Sequence, residues 1–134
     1  MTRSDSTRAA GIAGKWRISR MDTWAQDAVD LVGPGFLEFD RDGNGRFGFI
    51  AVTGWMDCRH GAHEGRPRVE FSWDGSDEGD HISGRGWAEL LPDGSLNGHL
   101  FIHNGDDSGF TAVPFPGEDK PRARTSAGRR RVGQ

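Results

Sequence analysis

The fold is decided by the stretch Gly14-Lys15-Trp16-Arg17-Ile18-Ser19-Arg20, the first in a series of short predicted strands. Trp16, Ile18 and Arg20 share one face of this strand, because side chains alternate along an extended backbone. From there to about residue 113, apolar runs alternate with turns rich in Asp, Gly, Pro and Asn. Short strands that tight turns join in sequence order are typical of an up-and-down β-barrel.

A short helix is predicted directly after this first strand, between residues 21 and 32. Its apolar side chains recur at spacings of three and four residues, as on one face of a helix; they are Trp24, Ala28, Leu31 and Val32. Gly33-Pro34-Gly35 then ends the segment.

Six further strands are predicted over residues 36–39, 46–59, 67–74, 81–91, 96–103 and 109–113. If the long segment 46–59 bends, it counts as two strands. The predicted fold class is therefore all-β, a small antiparallel up-and-down barrel of seven to eight strands, and closure removes unpaired strand edges. Gly84 and Gly86 indicate a strand that bends sharply or lets a large neighbour approach closely.

The core of this domain is predicted to consist mainly of aromatic side chains. Only 34% of the 134 residues are hydrophobic and 21 are Gly, but there are five Trp and eight Phe. A buried aromatic side chain removes roughly 150 to 250 Å² from water, so a few of them supply most of a core. The length fits one domain, which we place at residues 14–113 after a flexible N-terminus of residues 1–13.

The charge is distributed unevenly along the chain. In residues 114–134 six basic side chains stand against two acidic ones, which gives +4, and the net charge of −3 leaves −7 for the preceding residues. An acidic body argues against nucleic acid as a partner. The basic tail has few apolar residues and is predicted to be disordered. It is either a solubilising C-terminus or an arm that binds nucleic acid or another partner.

Cysteine and hydropathy patterns predict a cytoplasmic protein. Cys58 is the only cysteine, so an intrachain disulfide is excluded, which fits a reducing compartment. No apolar stretch of about twenty residues is present, and no signal-peptide pattern is found. We therefore expect no membrane partner.

Two stretches resemble metal-binding sequences. Asp40-x-Asp42-x-Asn44-Gly45 matches the first half of an EF-hand loop, but Ala51 stands where a bidentate carboxylate is required, so a hairpin turn is predicted. Cys58-x-His60-x-x-His63-Glu64 holds four possible metal ligands within seven residues. Structural zinc usually takes two separated pairs of ligands, so we interpret this stretch as a solvated loop. The sequence predicts no metal site and no cofactor.

Polar side chains on the predicted strands, next to large aromatic ones, form the candidate ligand site. If the aromatic face is interior, Asp57, Arg85, Glu89 and His103 lie inside, where an unpaired charge costs several kcal/mol. The alternative is that they lie in water at strand ends. In the first case Arg85 would hold a carboxylate or phosphate. The candidate ligand-binding residues are Trp16, Trp55, Asp57, Glu70, Trp73, Arg85, Trp87 and His103.

Gly14-Lys15-Trp16 followed by a β-rich remainder resembles the start of calycin barrels, the lipocalin and avidin-like proteins. Residues 14–112 also resemble an uncharacterised family of small bacterial β-barrel proteins, through residues 24–32, 69–73, 84–87 and 103–108. That family has no assigned activity to transfer. Calycins carry hydrophobic or planar ligands, so the resemblance implies a binding role.

Three functions are left open. The leading hypothesis is a barrel that binds a small hydrophobic or planar molecule, anionic if Arg85 contacts it. The alternative is a homo-oligomeric or partner-binding module that uses the segment 46–58, which is apolar on both faces. The third is an enzyme in which His103 works with Asp57 or Glu70 as acid and base. No spacing of nucleophile, base and orienting group supports it, so no catalytic residue is named.

Overall fold

Eight antiparallel strands form a closed barrel in a computed structural model that describes residues 11–117. The strands are β1 (Gly14–Met21), β2 (Phe36–Phe39), β3 (Asn44–Phe49), β4 (Val52–His63), β5 (Arg66–Asp77), β6 (Asp80–Leu90), β7 (Leu96–Ile102) and β8 (Asp107–Pro114). Each strand pairs with the next in sequence, and β8 pairs with β1. One short helix, α1 (Gln26–Val29), follows β1. The predicted all-β up-and-down barrel with a helix after its first strand is confirmed.

The start of the described chain closes one end of the barrel. Ile12 and Ala13 are buried, and the indole Nε1 of Trp16 donates a hydrogen bond of 2.7 Å to the carbonyl oxygen of Ile12. Residues 11–13 were predicted to belong to the flexible N-terminus, but here they pack against the core. Residues 1–10 and 118–134, which include most of the predicted basic tail, lie outside the described residues.

Helix α1 lies at the other end of the barrel. It is shorter than predicted: of residues 21–32 only Gln26–Val29 are helical, and Met21 belongs to β1. The carboxylate of Asp30, just after the helix, accepts hydrogen bonds of 2.8 and 2.6 Å from Arg17 and one of 2.9 Å from the backbone of Gly35. The Arg17 hydrogen bond is the largest cause that lowers the pKa of Asp30 to about 2. No helix among residues 11–117 has the length and apolar character needed to span a membrane.

The barrel interior is filled by its own side chains. An eight-stranded barrel is just wide enough for side chains to fill it. The rings of Phe47 and Trp73, for example, meet edge to face with centroids 5.0 Å apart. The largest buried aromatic side chains are Trp16, Phe39, Phe47, Phe49, Phe71, Trp73 and Phe110.

Two glycines of β6 make room for these rings. A Cβ built on Gly86 would lie 2.6 Å from the ring of Phe71, and one on Gly84 would lie 2.8 Å from the indole of Trp73. The prediction that these glycines let a large neighbour approach is confirmed. Because Gly84 and Gly86 face inward, Arg85 and Trp87 must face outward.

The long strand predicted at 46–59 is in fact two strands joined by a tight hairpin. Phe49 pairs with Val52, which leaves Ile50 and Ala51 as the turn. Before the turn the odd-numbered residues Phe47 and Phe49 face the interior. After the turn the even-numbered residues, beginning with Val52, face it instead. The turn therefore reverses the predicted alternation, and the strand with two apolar faces does not exist.

The hairpin between β4 and β5 also differs from the prediction. Residues 60–66 were predicted as a polar loop, but β4 continues to His63 and only Glu64 and Gly65 form the turn. Both have positive φ angles, 52° and 83°, as a two-residue type I′ turn requires. The extended hairpin carries polar side chains beyond the barrel wall.

Candidate functional site

The structure divides the predicted ligand residues between the two sides of the barrel wall. Trp16 and Trp73 are 3% and 4% exposed and belong to the core. The prediction of an interior position is wrong for the others. Trp55 is 68% exposed, and Asp57, Arg85 and Trp87 lie on the outer face. The reason is the filled interior: inward positions of β4 and β6 are taken by small or apolar residues that fit between the rings.

Glu70 and His103 also lie outside, in different places. Glu70 is exposed on the outer face of β5. His103 is exposed in the turn between β7 and β8. Within residues 11–117, His103 forms no hydrogen bond or ion pair with Asp57 or Glu70, so the proposed acid and base partners are not brought together.

Four of the predicted residues nevertheless converge on the outside of the barrel. Asp57 of β4 pairs with Ser72 of β5, and Ser72 pairs in turn with Arg85 of β6. Glu70 of β5 pairs with Trp87 of β6. Together with Arg59 and Arg68 they line a depression of about 430 Å³, here called the outer depression. The members of the predicted set that line it are Asp57, Glu70, Arg85 and Trp87.

The charges in the outer depression are unevenly compensated. Arg59 Nη1 lies 2.7 Å from Asp57 Oδ1, a close ion pair. Arg68 Nε lies 3.5 Å from Glu70 Oε2, too far for a good hydrogen bond, and this buried nitrogen donates none to any group within residues 11–117. Among residues 11–117, Arg85 forms no ion pair at all.

Two arginines of the depression lie over aromatic rings. The guanidinium carbon of Arg68 is 4.4 Å from the ring centroid of Trp87, and that of Arg85 is 4.1 Å from Phe101. Such contacts are favourable because the ring face carries negative charge. They place both guanidinium groups against aromatic rings, and of the two only Arg85 has no carboxylate partner among residues 11–117.

Glu89 is a buried carboxylate that contacts Arg68 of the outer depression. Its side chain is 8% exposed, and Arg66 Nε donates a hydrogen bond of 2.6 Å to it. His63 Nδ1 and Arg68 Nη1 lie 3.5 and 3.7 Å from its carboxylate. The Arg66 hydrogen bond lowers the pKa of Glu89. The sequence left open whether Glu89 lies in the interior or in water at a strand end; it is in fact buried on the outer side of the wall among basic residues.

Two histidine–aspartate pairs were not foreseen from the sequence. His99 Nε2 lies 2.5 Å from Asp107 Oδ2 on the outer face of β7 and β8, and its ring is 4.5 Å from that of Phe101. His81 Nε2 lies 2.5 Å from Asp74 Oδ1. The hairpin register of neighbouring strands would have indicated both pairs.

The residues of the metal-like stretches do not converge. Cys58 points into the core, and its burial raises its pKa to about 12, while His63 points out toward Glu89. Asp40 Oδ1 accepts hydrogen bonds of 2.9 Å from the backbone of Asp42 and Asn44, which confirms the predicted turn. Within residues 11–117 no three His, Cys, Asp or Glu side chains are grouped to hold a metal.

Comparison with known proteins identifies no relative: no family model matches the chain, and no curated protein matches it. The resemblances to calycins and to a small bacterial family therefore remain predictions.

Proposed function

We propose that the protein binds a small, planar, anionic molecule in the outer depression. The observation that carries this proposal is Arg85, which has no carboxylate partner among residues 11–117 and lines the depression beside the indole of Trp87. The proposal keeps the ligand class predicted from the sequence and moves the site from the inside of the barrel to its outer wall.

The state of Arg85 supports the anionic part of the ligand. Asp57 and Glu70 also line the depression, but each is ion-paired with another arginine. The guanidinium carbon of Arg85 lies 4.1 Å from the ring centroid of Phe101. A planar guanidinium with free N–H edges matches a carboxylate or phosphate with two parallel hydrogen bonds.

Trp87 supports the planar part. Its indole is partly exposed and lies two residues from Arg85 on the same face of β6. Arg68 lies over one face of this indole, so a ligand ring would pack against its edge; such aromatic pairs gain about 0.5–1.5 kcal/mol beyond the area that they bury. The depression of about 430 Å³ falls within the usual range of small-molecule sites.

Calorimetric titration tests this function with 3-phenylpropanoate and its neutral analogue 3-phenylpropan-1-ol. We expect the anion to bind more tightly than the alcohol, and Arg85→Gln to weaken the anion about tenfold, as loss of a charge-assisted hydrogen bond does. Arg41→Gln is the matched control, because Arg41 is exposed and also forms no ion pair among the described residues. Equal binding of anion and alcohol, or an unchanged affinity in Arg85→Gln, would refute the proposal.

Self-association is the second candidate function, and a different surface favours it. Leu31 and Val32 are 65% and 78% exposed. Val32 lines an apolar groove of about 430 Å³ with Pro34, Phe36 and Ile50. Exposed apolar patches of this kind mark interaction surfaces. In sedimentation velocity we expect Val32→Asp to reduce self-association; a wild-type protein that stays monomeric at high concentration would exclude this candidate.

A further inference from the structure

We infer that the ligand of the outer depression is zwitterionic, an aromatic molecule with both a carboxylate and an ammonium group, as in an aromatic amino acid. This inference rests on the proposed function and names its ligand class. It starts from a second feature of the depression, an acidic side chain whose charge is poorly compensated.

That side chain is Glu70. It is 70% exposed, and its only ion pair among residues 11–117 is the 3.5 Å contact with Arg68. Arg68 Nη1 also lies 3.7 Å from the carboxylate of the buried Glu89. The positive charge of Arg68 is therefore shared between Glu70 and Glu89. A carboxylate in this state accepts hydrogen bonds from a ligand ammonium group.

Glu70 and Arg85 are placed to hold the two ends of one small molecule. Glu70 lies directly across from Trp87, and Ser72 lies directly across from Arg85, so the two charges occupy diagonal positions on neighbouring strands. Long side chains at diagonal positions are within reach of each other. They nevertheless form no ion pair, because Arg85 lies on Phe101 and Glu70 leans toward Arg68.

An indole borders both charges. Trp87 is the cross-strand partner of Glu70 and lies two residues beyond Arg85. A ligand with its carboxylate on Arg85 and its ammonium group on Glu70 would therefore bring its ring to the edge of Trp87. The hydroxyl of Ser72, between the two charges, offers a further hydrogen bond to the carboxylate.

Asp57 is a poorer partner for the ammonium group, although it lines the same depression. It is held by Arg59 at 2.7 Å, so a ligand cation would have to displace an existing ion pair. The two carboxylates therefore differ in a way that an experiment can use. Replacement of Glu70 should affect the cationic group of the ligand, and replacement of Asp57 should not.

The experiment compares three probes by calorimetric titration: L-phenylalanine, 3-phenylpropanoate, which lacks the ammonium group, and 2-phenylethylamine, which lacks the carboxylate. We expect phenylalanine to bind about five-fold more tightly than 3-phenylpropanoate, the gain of a favourable exposed ion pair. Glu70→Gln should abolish this difference and leave 3-phenylpropanoate unchanged. Asp57→Asn is the matched control and should retain the difference.

Each other outcome is decisive. If 3-phenylpropanoate binds through Arg85 but phenylalanine binds no better, or if Glu70→Gln keeps the preference, the inference is overturned and the proposed function stands. If no anionic probe binds, both fail. Glu70→Asp serves as a second variant, and it should restore part of the preference. Far-UV circular dichroism of every variant verifies that the exposed substitutions leave the barrel folded.

Discussion

At the scale of single residues, the candidate site depends on which charges already have partners. Five ionisable side chains line the outer depression. The sequence shows which residue types they are but not which of them form ion pairs. Arg59 neutralises Asp57, Arg68 is divided between two glutamates, and Arg85 is left over. Residue type therefore allowed the prediction of an anion-binding arginine, but only the structure shows that Arg85 forms no ion pair among residues 11–117.

Glu89 is the residue whose loss should disturb the site most without touching a ligand. We expect Glu89→Gln to lower the free energy of unfolding by about 1.5–3 kcal/mol, because the charged hydrogen bond with Arg66 is lost. Urea unfolding at neutral pH measures this. Glu64→Gln is the control, since Glu64 is 72% exposed and lies 3.9 Å from Arg66. A loss in Glu89→Gln no greater than in the control would contradict the expectation.

The same residue gives a pH dependence with a definite sign. The folded-state pKa of Glu89 is lowered from its ordinary value of 4.5. The contribution of the Glu89 carboxylate to the free energy of unfolding is therefore fully present above pH about 4.5, and it is lost as the pH falls through the folded-state pKa. We expect the difference in stability between wild type and Glu89→Gln to shrink below that pH. A difference that grows on acidification would show the opposite linkage.

At the scale of strands and turns, most of the barrel was predictable, and the exception shows why the rest was not. Turns with Asp, Gly or Pro were recognised because those residues favour turn conformations. The turn at Ile50 and Ala51 has no such residue, although Ile50 adopts a positive φ of 55°. Its backbone N–H donates a hydrogen bond of 2.7 Å to the carbonyl oxygen of Val29, the last residue of α1. A tertiary contact supports this turn, and local sequence cannot reveal it.

Strand β6 provides a test of how the glycines shape the wall. In Gly86→Ala the new Cβ would lie 2.6 Å from the Phe71 ring and 2.7 Å from the carbonyl oxygen of His99. Backbone cannot yield as a flexible side chain does, so we expect a loss of about 1–3 kcal/mol in the free energy of unfolding. Gly61→Ala is the control, since nothing lies within 4 Å of its added Cβ. Equal stability of the two variants would refute this account of the packing.

At the scale of the whole molecule, the sequence predicted the barrel but placed inside it side chains that lie on its outer wall, among them Trp55, Asp57 and Arg85. The prediction took the aromatic side chains as one interior set. Counting rings cannot decide how many of them the interior holds, because that depends on the number of strands and on the phase of every hairpin. One unforeseen turn brought Trp55 and Asp57 to the surface, and two inward glycines did the same for Arg85 and Trp87.

This division of the tryptophans can be measured in solution. Acrylamide quenching should find a shielded class that contains Trp16 and Trp73, which are 3% and 4% exposed, and an accessible class dominated by Trp55, which is 68% exposed. We expect Trp55→Phe to remove the largest quenchable fraction. In that variant, saturation with 3-phenylpropanoate should reduce the quenching that remains, because Trp87 borders the outer depression. If Trp55→Phe leaves the quenching unchanged, the outward phase of β4 is wrong, and with it the position of Asp57 in the depression.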